Sequence, residues 1–184
     1  MRDTRRNRMS PSPDQQTPKR GHIYLGLGSN IADRDAHLAA ALQALARLMT
    51  IERVSSVYDT APMLVTDQPR FHNLALAATT TLEPLALLRG VKAIERDLGR
   101  TSGPRYGPRV IDIDLLFYDQ LVLQSDELTL PHPRLAERAF VLAPLAEIAP
   151  ALIHPALGES VSDLLLRVAG SDVRRLGPLP HSER

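Results

Sequence analysis

The sequence predicts a single α+β domain, a ferredoxin-like sandwich of helices on a largely antiparallel sheet. Two observations carry that expectation. The chain has 184 residues, 43% of them hydrophobic, which is enough for one well-buried core and too little for two. Along it, a strand–helix–strand pattern occurs twice around additional strands, an order that lays helices against one sheet.

Taken in order, residues 1–21 are polar, rich in Arg, Pro, Ser and Gln and without periodicity, so a disordered tail is expected before a domain over residues 22–170. His22 to Leu27 alternates as a first strand and closes in Gly28-Ser29-Asn30. Ile31 stands where a dinucleotide loop needs its third glycine, so these glycines serve a tight strand-to-helix turn. Asp33 caps a helix carrying Leu38, Leu42, Leu45 and Met49, with Asp35 in its first turn. Ile51 to Asp59 reads as a second strand and Phe71 to Leu82 as a third. Their connection, Thr60 to Pro69, is longer than a hairpin needs and marks a functional loop. Leu85, Leu88, Ile94 and Leu98 predict a second helix, opened by Glu83-Pro84 and closed by Gly99, while Gly90 inside it has no evident reason. Val110 to Tyr118 is the central strand. A hairpin through Asp119-Gln120 into Leu121 to Leu123 and an extended piece at Leu128 to Leu130 follow. Arg134 to Glu147 is expected to be helical in part and broken at Pro144. A last helix runs through Val161, Leu164, Leu165 and Val168, and residues 171–184 are expected to fray.

Composition narrows the function. There is no cysteine, hence no disulfide framework and no thiolate metal site, and a cytoplasmic location is the simplest reading. No apolar run reaches membrane-spanning length, and no apolar stretch follows the N-terminal arginines as a signal peptide would require. The formal charge is +1, but residues 1–20 hold six basic and two acidic side chains, which leaves the rest of the chain at −3. That balance lacks the basic surface of a general nucleic-acid binder. Lys19 and Lys92 are the only lysines and neither follows a Gly-x-x-x-x-Gly loop, so a P-loop is excluded and phosphate must be gripped by arginine.

The stretch Arg105 to Phe117, R-Y-G-P-R-V-I-D-I-D-L-L-F, organises the reading. In a strand, side chains i and i+2 share a face about 6–7 Å apart, so Asp112 and Asp114 project together while Ile111, Ile113, Leu115 and Phe117 point to the other side. Two like charges in an apolar strand cost free energy unless something positive lies between them. Mg²⁺, which prefers hard oxygen ligands and arrives with phosphates, suits that place. The alternative is that one aspartate pairs with Arg109 or Arg105 while the other faces water.

R-x-G-P-R-x-x-D-x-D-L-L, preceded at Glu95 by E-R-D-L-G-R and followed at Leu130 by L-P-H-P-R, resembles the signature of the 6-hydroxymethyl-7,8-dihydropterin pyrophosphokinase family, over about Ile23 to Pro150. The resemblance implies the same ferredoxin-like fold. It also implies transfer of a pyrophosphoryl group from MgATP to the hydroxymethyl group of 6-hydroxymethyl-7,8-dihydropterin in folate biosynthesis, with release of AMP. By that resemblance Asp112 and Asp114 bind two Mg²⁺, and Arg100, Arg105, Arg109 and Arg138 clamp phosphates through planar, permanently charged guanidinium forks. Thr101 to Pro108 becomes a lid closing over ATP, in which Tyr106 replaces the family's usual tryptophan. His132 contacts the nucleotide, Leu128 and Thr129 border the adenine, and Glu95 faces the nucleotide or the clamp, or else partners Arg100 on the helix surface. Phe71 and Phe140 sandwich the pterin, Asn73 reads its amide edge, and Thr60, Ala61, Pro62 and Leu64 supply backbone contacts. A monomer without nucleic-acid or membrane partners is expected. Two rivals share parts of the pattern. A ferredoxin-like RNA-binding module would present aromatics on adjacent strands, and a two-metal phosphodiesterase would use the same D-x-D.

Overall fold

The computed structural model describes residues 20–62, 67–100, 108–168 and 172–180. Nine residues, Gly21–Ser29, form β1, one position longer at the start than the alternation indicates and two longer at the end. β1 pairs antiparallel on one side with β4, Phe71–Thr80, and on the other with β5, Asp112–Tyr118. Between β1 and β4 the chain supplies helix α1, Arg34–Leu45, and strands β2, Thr50–Val54, and β3, Val57–Thr60. Helix α2, Pro84–Asp97, connects β4 to β5. With β2 and β3 both pairing β4, the sheet order β5-β1-β4-β3 is that of a ferredoxin-like sandwich, and every pair in it is antiparallel.

Local signals place these elements. The Asp33 carboxylate accepts from the Ala36 N–H at 3.1 Å and starts α1. Pro84 occupies the first turn of α2, where its missing N–H costs nothing, and Gly99, at φ +95°, ends it. Gly90 now has a reason. A Cβ there would lie 2.8 Å from Leu48 Cδ1, so the glycine admits the segment following α1 against α2.

Both sheet faces are covered. Ile23, Leu25 and Leu27 of β1, with Leu74, Leu76 and Ala78 of β4, pack under α1 and α2. The opposite face, with Ala75, Ala77 and Phe117, packs under α3, Ala139–Ile148, and α4, Val161–Arg167, the latter capped by the Ser160 hydroxyl. Register shifts between Tyr24 and Leu25, whose partners are Phe117 and Leu115. This bulge turns Phe117 onto the aspartate face, correcting the expectation that strict alternation holds through the strand.

Four further expectations are corrected. The second strand is divided at Ser55-Ser56, where the Ser55 hydroxyl accepts from the Ala75 N–H at 2.9 Å and so takes over a ladder bond. Asp119-Gln120 does not open a hairpin onto β5. Instead β6, Leu123–Gln124, pairs with β7, Thr129–Leu130, as a separate two-stranded ribbon. Pro144 lies within α3 without breaking it, because Leu142, Leu145 and Ile148 are buried around it and that packing offsets one missing hydrogen bond. The predicted frayed terminus holds β8, Val173–Gly177, which pairs with β3 at the sheet edge. Expectations for residues 1–19 and for the lid at 101–107 lie outside the described residues.

Glu147 of α3 pins that edge. Its carboxylate accepts from the Ser56 N–H and hydroxyl, from the Tyr58 hydroxyl at 2.9 Å and from Arg175 of β8 at 3.1 Å. Partial burial opposes its ionisation, but these donors prevail and hold the carboxyl below its usual range. A depressed folded-state value means that the stabilisation is fully present above the ordinary carboxyl range and is lost as pH falls through the folded value. Glu147→Gln should therefore lower the thermal midpoint at neutral pH, with the gap to wild type constant down to about pH 5 and narrowing below about pH 4. A gap independent of pH in a melting series from pH 7 to 3 would show that the charge of Glu147 contributes nothing.

Candidate functional site

β1 is glycine at alternate positions where its neighbours carry the site. Gly28 stands between Asp112 of β5 and Asn73 of β4, and Gly26 between Asp114 and Ala75. The missing side chains open the floor of a cavity of about 330 Å³, lined also by Thr60, Ala61, Pro62, Phe71, His132, Arg138 and Phe140. Gly28 is required sterically, since a Cβ there would fall 2.6 Å from Asn73 Oδ1. Asn73 Nδ2 in turn donates to Thr60 Oγ1 at 2.7 Å, which fixes the amide plane in the cavity wall.

The two aspartates share a face, as the i, i+2 spacing indicates, and both open to the cavity. Their surroundings differ. Asp112 meets Arg100 Nη1 at 2.8 Å and Arg109 Nη1 at 2.5 Å. Burial alone would raise the Asp112 carboxyl, but the Arg100 and Arg109 charges outweigh it and hold the group below its ordinary range. The pairing offered as an alternative for one aspartate is thus present for Asp112. Asp114 lies 3.7 Å from Arg138 Nη1 and 3.9 Å from His132 Nε2, both longer than a hydrogen bond. Its hard oxygens therefore suit a magnesium ion. Among the described residues no third histidine or acidic side chain joins the pair to complete a protein-only metal cage.

His132 is held by its own N–H, which donates to Leu116 O at 2.9 Å, and its Nδ1 accepts from the Arg134 N–H at 3.3 Å. The ring proton therefore sits on Nε2, on the cavity side. Burial, aided by Arg138 and opposed by Asp114, pushes its pKa below the usual histidine value, so the ring is a neutral donor at neutral pH. Arg138, immediately before α3, lies with its guanidinium carbon 5.6 Å from the centre of the Phe140 ring.

Glu95 lies behind this layer. It is 2% exposed, pairs with Arg100 and accepts from Lys92 Nζ at 3.0 Å and from the Ile113 N–H at 2.7 Å. Lys92 also donates to Ile113 O at 3.1 Å. The two side chains satisfy the outer backbone edge of β5 between the aspartates, so Glu95 is a buried partner of Arg100 and not one on the helix surface. Desolvation raises its pKa despite the neighbouring cations. Leu128 is packed in the core and Thr129 belongs to the β6–β7 ribbon; neither lines the cavity. Leu64, Arg105 and Tyr106 lie outside the described residues. Sequence reasoning missed Gly26, Gly28, Gln68 and Arg134 as cavity residues and Lys92 as an anchor. The register of β1 against the D-x-D strand was the signal that could have found the glycines.

Residues 24–150 match the family model described as 7,8-dihydro-6-hydroxymethylpterin-pyrophosphokinase. The chain is 47% identical over 155 residues to a 2-amino-4-hydroxy-6-hydroxymethyldihydropteridine pyrophosphokinase of Methylorubrum extorquens, covering 83% of this chain and 97% of that protein. It is 50% identical over 127 residues to the mitochondrial folate synthesis bifunctional protein of Pisum sativum, covering 68% of this chain and 25% of that protein, so it spans about a quarter of the length of such relatives. A Plasmodium falciparum HPPK-DHPS crystal structure has the same fold, with a TM-score of 0.71 at 15% identity, covering 88% of this chain and 50% of that one.

Removing the Glu95 carboxylate would leave Arg100, Lys92 and the Ile113 N–H without their shared acceptor. Glu95→Ala should cost about 3–5 kcal/mol of stability, the range for breaking a buried ion pair from one side. Urea denaturation measures it, and a loss below about 1 kcal/mol would show that the anchor is dispensable.

Proposed function

This chain belongs to the 7,8-dihydro-6-hydroxymethylpterin-pyrophosphokinase family, and from that premise we propose that it transfers the terminal pyrophosphoryl group of ATP to 6-hydroxymethyl-7,8-dihydropterin. The observation that carries the reading is that one cavity is lined by Asp112, Asp114, Arg109 and Arg138 together with Phe71, Phe140 and Asn73, with Arg100 paired to Asp112.

In this scheme the hydroxymethyl oxygen attacks the β-phosphorus. A new O–P bond forms as the bond from the β-phosphorus to the α,β-bridging oxygen breaks, AMP departs with that oxygen, and the hydroxyl proton is lost. Phe71 and Phe140 hold the flat ring by its faces, and Asn73 with the Thr60 to Pro62 backbone reads its edge. Arg100, Arg109 and Arg138 orient the phosphates and oppose charge on their oxygens, while the His132 Nε2–H donates to one of them. Asp112 and Asp114 would hold two magnesium ions, which neutralise phosphate oxygens and acidify the attacking hydroxyl when bound. No side chain is assigned as a dedicated base. Arg105 and Tyr106 belong to the proposed lid, and Leu64 to the pterin side. The domain is taken as residues 22–170 extended by β8, acting as a cytoplasmic monomer.

AMP formation from MgATP, measured with and without the dihydropterin, tests the reaction. AMP should form only with the pterin, and Asp112→Ala and Asp114→Ala should each reduce it at least about a hundredfold. AMP released at the same rate without pterin would favour a phosphodiesterase instead. Gly28→Ala, which pushes Asn73 off Thr60, should raise KM for the pterin on the order of tenfold, corresponding to about 1–3 kcal/mol of overpacking, and leave KM for ATP near wild type. Equal effects on both substrates would contradict the assigned pterin side.

A further inference from the structure

Asp172 lines no part of the cavity, yet it holds two segments that do. β3 and β4 meet at a last rung, Thr60 opposite Phe71, and β8 starts against the same rung with Val173 opposite Thr60. Just beyond it, Asp172 O accepts from the Ala61 N–H at 3.3 Å. The Asp172 carboxylate reaches past β3 to Arg70, where Oδ2 accepts from Nη1 at 2.5 Å and Oδ1 from Nη2 at 3.1 Å. The two planar groups meet fork to fork. Arg70 Nε also donates to Asp59 Oδ2 at 2.6 Å and Nη2 to Asp59 O at 3.4 Å, so the guanidinium lies across the end of β3 and is fixed on both flanks. Its own backbone is tied as well, because Arg34 Nη1 donates to Arg70 O at 2.9 Å.

Arg70 immediately precedes Phe71, and Ala61 immediately follows Thr60. The last rung of a sheet has a neighbour on one side only and opens more readily than the rungs within. A ring carried there is placed no better than its rung is held. We propose that Asp172 is a positioning residue for the pterin, acting through Arg70 to keep Phe71 and the Thr60 to Pro62 backbone at the spacing that the flat ring requires. β8 is by this inference a support of the substrate site and not only the edge of the sheet. An exposed ion pair of ordinary geometry contributes little, but this one is bidentate and shares its arginine with Asp59, the circumstances in which such a pair counts. The side chains of Arg70 and Asp172 are 37% and 65% exposed, so salt weakens their attraction. Binding of an uncharged pterin then acquires a dependence on ionic strength that the ligand itself does not explain. The inference rests on the pyrophosphokinase reading for the identity of that ligand.

Steady-state AMP formation by the full chain at saturating MgATP tests it. Asp172→Asn keeps the size of the side chain and the backbone acceptor for Ala61, and removes the charge. It should raise KM for 6-hydroxymethyl-7,8-dihydropterin about three- to fivefold, with kcat and KM for ATP within about twofold of wild type. Raising sodium chloride from about 0.05 M to about 0.5 M should raise the wild-type KM for the pterin by a similar factor and leave that of Asp172→Asn nearly unchanged. Arg70→Lys, which keeps the charge but not the fork, should raise the same KM at least as far, and adding Asp172→Asn to it should change nothing further. A purely structural role would lower the thermal midpoint of Asp172→Asn and either leave both KM values alone or move them together, and each of these results would overturn the proposal. So would a salt response that wild type and Asp172→Asn share. A wild type that forms no pterin-dependent AMP would instead refute the functional reading on which the proposal stands.

Discussion

Two carboxylates on one face of a largely apolar edge strand lose part of the hydration that water would otherwise supply, and much of this molecule is arranged around replacing it. Asp112 receives two guanidinium groups at hydrogen-bonding distance, one from the end of α2 and one from the approach to β5. Asp114 stays half-exposed at the cavity floor. β1 passes between the aspartates and β4 as Gly26 and Gly28; the glycine at 28 is required beside Asn73, whose Oδ1 would lie 2.6 Å from a Cβ, whereas a Cβ at 26 would make only an ordinary contact with Leu116 at 3.5 Å.

The same constraint explains what closes the sheet. β5 is an edge strand, and edge strands carry unpaired backbone groups that invite association. Here Lys92 and Glu95 cover Ile113, and the His132 backbone covers Leu116. Residues beside the aspartates and their arginines thus also finish the sheet, so that damage to one propagates to the other. The aromatic pair Tyr24 and Phe117, with centroids 6.1 Å apart, lies on the face packed under α3 and α4, so it is not an open platform for bases.

Much of this was legible from short-range signals. The aspartate pair followed from strand periodicity, the Asp33 cap and the Gly99 stop from helix-end chemistry, and the largely antiparallel sandwich from the alternation of elements. What escaped was decided over long range. β8 is an isolated five-residue stretch whose partners, β3 and Glu147, are remote in sequence, and its two arginines look like a solvated tail until those partners are in place. Pro144 survives in α3 because burial outweighs local propensity. The bulge that turns Phe117 over leaves no local mark, since Leu115, Leu116 and Phe117 would all suit either face. For Glu95 the sequence left a place facing the nucleotide or the clamp and one on the helix surface equally open, because its burial depends on β5 crossing beside α2.

Among the described residues, Lys92, Arg100, Arg109 and Arg138 surround Glu95, Asp112 and Asp114, a surplus of one positive charge, and Arg134 on the cavity wall faces Glu137. His132, kept neutral by burial, adds a donor and no charge. A polyphosphate carries more negative charge than that surplus can match, and the arginines are already engaged with carboxylates. An anion drawing the guanidinium groups toward itself would strip Asp112 of its counter-charges and recreate the desolvated pair. In the proposed reaction, cations arriving with the phosphates would resolve both difficulties together, since Asp112 and Asp114 offer hard oxygen ligands to hold them. Arg100 and Arg109 hold the Asp112 carboxylate in place, which makes the D-x-D pair and its arginines one electrostatic unit.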